Sequence, residues 1–344
     1  MRLHHLFLFF GLLPFIGSII LGILGCAEEP TAWPSNPEIL GPFDVNRYDI
    51  DFQVPNYGRY TGFIYHPVLP QDTASPTLLP EAPFPALVLA NGYSAPVILL
   101  SWLAEHLSSH GFIVLGFTPQ NPFSLDVTSW ASGFSCGLEV LEEENNNNET
   151  AVYKKVDLTS AGFIGLSMGG AGAIEAAGKG AAVNTIVALA PGINDLGGFI
   201  FHESLKAAEL INIPVQIQVG SLDCIVNPPA GTMLGFTNLT GKGVLTYYDL
   251  IPSSKLYLEI NGANHVAYIQ GGIAEIGNFM IATLIPIDCE PTLPTRKQHR
   301  ISAKYATMWF HTYLYETTAW ENMLFGQGLQ EDLQSGVLSN YMID

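Results

Sequence analysis

The sequence predicts an α/β domain, built on a mostly parallel central sheet with helices on both faces. Three observations predict it. Short continuous apolar runs such as Ala86-Leu87-Val88-Leu89-Ala90 have the length and composition of strands buried on both faces. They alternate with segments of helical apolar spacing, the pattern of βαβ units. One junction, Gly165-Leu166-Ser167-Met168-Gly169, follows such a strand and opens an Ala- and Gly-rich helix.

Taken in order, Tyr48 to Val54 and Tyr60 to Tyr65 alternate aromatic or β-branched with polar residues around Asn56-Tyr57-Gly58, which predicts an opening hairpin. A Pro-rich loop spans Pro67 to Pro85, and Ala86 to Ala90 is the first buried strand. Leu99 to Leu107 is spaced as a helix that stops at His110-Gly111, and Phe112 to Phe117 is the next strand. Trp130 to Glu144 reads as a helix and Asn145 to Asn148 as a solvated loop. Ala161 to Leu166 is a strand and Met168 to Lys179 a helix packed closely on the sheet. Thr185 to Ala190, Val215 to Val219 and Leu256 to Ile260 are further strands, and Ile301 to Tyr315 is expected as the closing helix. Neither a repeat nor a second composition regime interrupts the chain, so residues 38–344 are read as one catalytic domain.

Composition narrows the function classes. Of 344 residues, 48% are hydrophobic and 13% charged, which supports a large core and excludes a disordered chain. Lys and Arg total 13 against 31 Asp and Glu, a formal charge of -18 that repels phosphate backbones and argues against nucleic-acid partners. The first 26 residues read as an export signal: Arg2, His4 and His5 precede an apolar run from Leu6 to Leu24, broken by Pro14 and glycines. Gly25-Cys26 resembles a bacterial lipobox, in which Cys26 becomes a lipidated N-terminus, although Leu24 is not the usual small residue. Residues 27–37 are then a linker, and the body is expected outside the cytoplasm, secreted or held at the outer membrane or cell surface through Cys26. Without Cys26, the cysteines are Cys136, Cys224 and Cys289. One disulfide and one thiol is the simplest account, and Cys224–Cys289 is the preferred pair because both lie in the C-terminal half near the proposed site. Their spacing suggests no metal cluster. Asn148-Glu149-Thr150 and Asn238-Leu239-Thr240 match the glycosylation sequon, a chance match if the lipobox is real.

The chemistry converges on Ser167. A serine on a sharp strand-to-helix turn needs flanking residues almost without side chains, which Gly165 and Gly169 supply, while Gly170 and Gly172 let the helix approach the sheet. The helix N-terminus then aims N–H groups at a developing oxyanion. Such a serine needs a base, and the base an orienting acid. The histidines downstream are His202, His265, His299 and His311. His265 follows the strand ending at Ile260, where α/β folds place active-site groups. His202 precedes the best acid, His299 lies in a basic loop, and His311 falls inside the closing helix. For the acid, Asp223 follows the strand ending at Val219. Asp195 comes early, and Asp249, in an apparent insertion, is the runner-up. The oxyanion donors are expected to be the backbone N–H groups of Met168 and of Tyr93, in the loop after Ala90.

The segments Gly41-Pro42-Phe43, Gly92-Tyr93, Ser109-His110-Gly111-Phe112, Gly165 to Gly170 and Leu258 to His265 fall in order. Together they resemble the bacterial cutinase and polyester-hydrolase branch of the α/β-hydrolases, which includes poly(ethylene terephthalate) hydrolases and is akin to the dienelactone-hydrolase-like branch. The resemblance runs from about Gly41 to Tyr315. It implies the α/β-hydrolase fold and a serine ester hydrolase without a cofactor. Its triad would be Ser167, Asp223 and His265, its oxyanion hole Tyr93 and Met168, and its substrate a small-molecule or polymeric ester. A monomer is expected. Two departures bear on substrate. Leu166 stands where those enzymes usually carry His or Trp, and Pro191-Gly192 stands where polyester hydrolases often carry a clamping aromatic. Esters of short or medium acyl chains, or aliphatic polyesters, are therefore the expected substrates. The stretch from Cys224 to Ser254 is long enough to cover the cleft, and Phe123 and Trp130 are candidate apolar walls for which core packing is the plainer role. An acyltransferase with the same triad, and a non-catalytic surface lipoprotein that kept the fold, are the alternatives.

Overall fold

A computed structural model describes residues 33–70, 81–193, 200–227, 242–269 and 288–344. The expected signal and Cys26, Asp195, the second sequon and much of the 224–254 insertion lie outside these residues.

The strands are β1 (Asp44–Val54), β2 (Gly58–Val68), β3 (Phe84–Ala90), β4 (Ile113–Thr118), β5 (Val156–Leu166), β6 (Thr185–Leu189), β7 (Val215–Gly220), β8 (Lys255–Ile260) and β9 (Leu338–Ile343). Among the described residues they form one sheet in the order β1-β2-β4-β3-β5-β6-β7-β8-β9. The six strands from β4 to β8 in that order run parallel, and β1, β2 and β9 join antiparallel at the two edges. This is the fold expected from the apolar runs, and β3, β6 and β7 are buried at every residue.

The reason both faces are apolar is that both are covered. Successive strand residues point to opposite faces. A side-chain carbon on Gly137 of α2 (Val127–Asn146) would press on Val88, whereas one on Gly162 of β5 would meet Phe310 of α6 (Thr295–Leu314) and Leu87. Helix α2 therefore covers the Val88 face and α6 the Leu87 face. Helix α1 (Ser101–Ser109) packs with α6, and α3 (Met168–Gly178) packs between α2 and α4 (His202–Ala208). The fully buried rings of Trp130, Trp309, Phe134 and Phe163 fill the layers. Each such side chain contributes up to about 3 kcal/mol by leaving water.

Four features differ from expectation. The chain does not close on a helix: after α6 come α7 (Glu321–Phe325), α8 (Gln327–Gln334) and β9. Strand β9 is an edge strand with mostly exposed or half-exposed residues, so it shows no apolar run. Helix α6 begins at Thr295, after Pro294, so His299 belongs to its second turn rather than to a loop. Its first turns are polar because they face outward. Helix α2 runs through Asn146, and Asn145 ties its end to β5 by accepting from the Val156 N–H at 3.0 Å. Trp33, in the segment expected as a linker, packs its ring edge-on against His311, centroids 4.3 Å apart.

Candidate active site

The parallel strands all end on the same side of the sheet, and the candidate residues stand at those ends: Tyr93 after β3, Ser167 after β5, Asp223 after β7 and His265 after β8.

Ser167 adopts φ 57° and ψ -117°, a backbone conformation that costs a non-glycine residue about 1–3 kcal/mol and persists only where its surroundings impose it. Here they do. The Ser167 N–H donates to the Leu189 carbonyl at 2.9 Å, and its own carbonyl accepts from Gly192 at 2.9 Å and Ala171 at 3.0 Å. The turn is possible because its neighbours lack side chains. A Cβ on Gly165 would overlap the Gly169 carbonyl, and one on Gly169 would lie 2.6 Å from the Ala90 oxygen and 2.7 Å from that of Asn91.

The loop after β3 passes against the serine: a Cβ on Gly92 would stand 2.6 Å from Ser167 Cβ. The Asn91 side chain accepts from the Gly92 N–H at 2.8 Å, and the Trp130 indole donates to the Asn91 carbonyl at 2.8 Å. Trp130 is thus a core residue that also fixes this loop. The Ser94 N–H is used by the Pro122 carbonyl at 2.7 Å. Among the described residues no acceptor meets the N–H of Tyr93 or of Met168, the first residue of α3, whose amide has no intrahelical partner. Both stay available to a negative oxygen.

On the other side, His265 Nδ1 and Asp223 Oδ2 are 2.8 Å apart, both side chains buried. Asp223 Oδ1 accepts from the N–H groups of Ile225 at 3.1 Å and Val226 at 3.0 Å, which fixes the carboxylate. Since that carboxylate accepts from Nδ1–H, Nε2 is the free ring nitrogen of a neutral His265. Burial opposes the imidazolium, but the charge and hydrogen bond of Asp223, with the charge of Asp288, outweigh it and raise the His265 pKa above its usual value. Ser167 Oγ does not hydrogen-bond to His265 here; such contacts are often long until substrate binds.

The remaining candidates fall away from this pair. Asp249 lies in α5 (Leu245–Leu250) and pairs with Lys242 at the surface. His202 opens α4. His299 stacks on Trp102, centroids 3.9 Å apart, and its Nε2 donates to the Ala267 carbonyl at 2.9 Å. His311 is enclosed with Trp33, Phe112 and Tyr315. Phe123 is not core: it is 43% exposed, its ring edge-on to Tyr93 at 6.1 Å. The Gly192 backbone is covered by Phe201, whose ring a Cβ there would meet at 2.5 Å. Cys224 and Cys289 are bridged, and Cys136 is a thiol. Among the described residues no cluster of His, Cys, Asp or Glu is arranged to hold a metal ion.

Sequence reasoning missed Asp288, whose carboxylate stands between the two loops carrying Asp223 and His265. No motif marks it; its closeness to Cys289 was the one available signal.

A family model for PET hydrolase-like proteins (PETase) matches residues 35–286. The chain belongs to that family. It is 26% identical to cutinase 1 of Thermobifida cellulosilytica over 230 residues, 66% of this chain and 73% of that protein. It is 26% identical to a cutinase of Thermobifida fusca over 230 residues, covering 66% and 64%. A bis(hydroxyethyl) terephthalate hydrolase of Streptomyces coelicolor is 27% identical over 241 residues, covering 69% and 65%. With the α/β-hydrolase sheet, these relatives make this PET hydrolase-like chain a carboxylic ester hydrolase.

Proposed function

We propose that the chain cleaves esters through an acyl-enzyme on Ser167. The observation that carries the reading is the Asp223–His265 bond of 2.8 Å at the strand ends beside a serine held in a strained turn. His265 Nε2 takes the Ser167 proton as Oγ attacks the ester carbonyl. The N–H groups of Tyr93 and Met168 receive the oxyanion, and His265 returns the proton to the leaving alcohol. Water, deprotonated by the same nitrogen, then releases the acid. Asp223 holds the tautomer and offsets the imidazolium charge, so the chemistry uses no cofactor.

The names of the relatives point to cutin-like and terephthalate esters. Pro191-Gly192, standing where polyester hydrolases often carry a clamping aromatic, favours aliphatic over aromatic acyl groups. Residues 1–26 are proposed as an export signal with Cys26 lipidated. The Cys224–Cys289 disulfide supports an oxidising compartment without bearing on the lipid.

Fluorophosphonate labelling tests the reading. The folded wild type should label at Ser167 and hydrolyse nitrophenyl esters, and Ser167→Ala should do neither. Folded wild-type protein that stays unlabelled would remove the serine mechanism. Esters of graded chain length and an aliphatic polyester film then rank the substrates.

A further inference from the structure

Asp288 stands where the acid and base loops meet. Its Oδ1 accepts from the N–H groups of Cys224 and Cys289, each at 3.0 Å, and its Oδ2 from the Val266 N–H at 2.9 Å. Cys224 follows Asp223 and Val266 follows His265, so one side chain grips the backbone next to both members of the pair. The Cys224–Cys289 disulfide closes the same junction covalently. Asn264 adds a bond from Nδ2 to the Cys289 carbonyl at 2.8 Å. Asp288 lies beyond the segment 35–286 that matches the family, so that match does not account for it.

Among the described residues every bond to the Asp288 carboxylate comes from an N–H donor, the pattern that suits an anion. We propose that Asp288 is a positioning residue for the ester hydrolysis described above: its ionised carboxylate clamps the Asp223 loop to the His265 loop and adds a second negative charge to the field that stabilises the His265 imidazolium. The clamp matters because Asp223 and His265 sit on separate loops, from β7 and β8, and their bond depends on how those loops are spaced.

The charges around the junction are few. Asp223 and Asp288 oppose each other. Burial, then the Asp223 charge, raises the Asp288 pKa, while His265 and the N–H bonds lower it, leaving it above the usual carboxylate range. Tyr257 of β8, hydrogen-bonded to Glu259 at 3.1 Å, and Tyr268 face Asp223 as phenols kept neutral by burial. His299 of α6 is pushed down to about 4 by burial and is neutral. Among the described residues neither carboxylate has a Lys or Arg ion-pair partner. Among the described residues, removing the Asp288 charge leaves Asp223 as the one anion beside His265, and the imidazolium becomes harder to form.

The test is the pH profile of kcat and KM on a nitrophenyl ester for wild type, Asp288→Asn and Asp288→Glu, with circular dichroism to confirm folding. Loosening the spacing of the two loops should lower turnover by up to about a hundredfold, the scale of a small misplacement of reacting groups. Asp288→Asn should do so with KM within about twofold, and its acid limb should move to lower pH by roughly half a unit, as expected when one nearby charge is lost. Asp288→Glu, which keeps the charge, should retain the wild-type acid limb. An unshifted limb in Asp288→Asn, or a limb displaced equally in Asp288→Glu, overturns the proposal even if turnover falls. If Asp288→Asn does not fold, the Glu variant decides alone: a displaced limb refutes the charge role. A wild type without activity or labelling would instead strike the ester-hydrolase mechanism itself.

Discussion

The two halves of the proposed site are held in different ways. The nucleophile half is set by backbone shape: a strained serine pinned by three main-chain bonds, with Gly165, Gly169 and Gly92 allowing close approach. The acid–base half is set by side chains that reach across loops: the Asp223–His265 bond, the Asp288 carboxylate and the Cys224–Cys289 disulfide. A backbone device needs only a few adjacent residues and tolerates almost no added atom. A side-chain device draws on distant segments and fails when its chemistry changes, even where its shape is kept.

The largest expected effect follows from that contrast. Asp223→Asn is nearly isosteric, and its amide oxygen can still accept from the Ile225 and Val226 N–H groups, so the fold should survive. Its NH₂ group would then face His265 Nδ1 and force the proton onto Nε2, the nitrogen proposed as the base. Turnover should fall by about 10⁴-fold, the scale known for this tautomer error in serine enzymes, with an unfolding midpoint close to wild type. A variant with near-normal turnover would remove Asp223 from the triad and leave the acid–base half without its organising bond.

Gly169→Ala probes the other half. The new methyl would sit 2.6 Å and 2.7 Å from two carbonyl oxygens of the β3 end, and neither belongs to a side chain that can swing away. Overpacking of this kind costs up to about 3 kcal/mol. Urea titration should show that loss together with slower fluorophosphonate labelling. If the variant lost labelling but kept its stability, the turn would be adaptable, and the contrast between a rigid half and a cross-linked half would not hold.

The same contrast explains what could be read in the sequence. The elbow was legible because its physics is local: a buried strand, two glycines around a serine, and a helix follow one another along the chain, and steric demand fixes their spelling. Asp223 and His265 were legible one step less directly, as polar residues just past apolar runs. Asp288 was not, since its partners at 224 and 266 are set by loop packing that no local period records. Strand β9 escaped because an edge strand with one covered face carries no continuous apolar run. Phe123 went unrecognised as a surface residue because hydrophobicity alone does not separate a core ring from an exposed one beside a site.

Mild acid should separate chemistry from fold, and gives the smallest effect. His265, the proposed base, has a pKa raised above its usual value by its carboxylates, so a growing share of it is protonated as pH falls through and below 7. Labelling and kcat/KM should already be several-fold lower at pH 6 than at pH 8. The fold responds to other groups. His106, His110 and His311 are buried among aromatic rings; burial foremost lowers their pKa values, to about 3 for His106, to about 4 for His110, and well below the usual value for His311. In the unfolded chain these histidines take up protons near 6.5, so between there and pH 4 the unfolded state binds more protons than the native one. Stability conferred by their neutral forms is complete above 6.5 and declines as pH falls toward 4. Activity and near-ultraviolet dichroism followed together should therefore part company, with activity dropping first and recovering on return to pH 8. Simultaneous loss would mean that acid acts on the scaffold, and that the side-chain half is no more sensitive than the sheet beneath it.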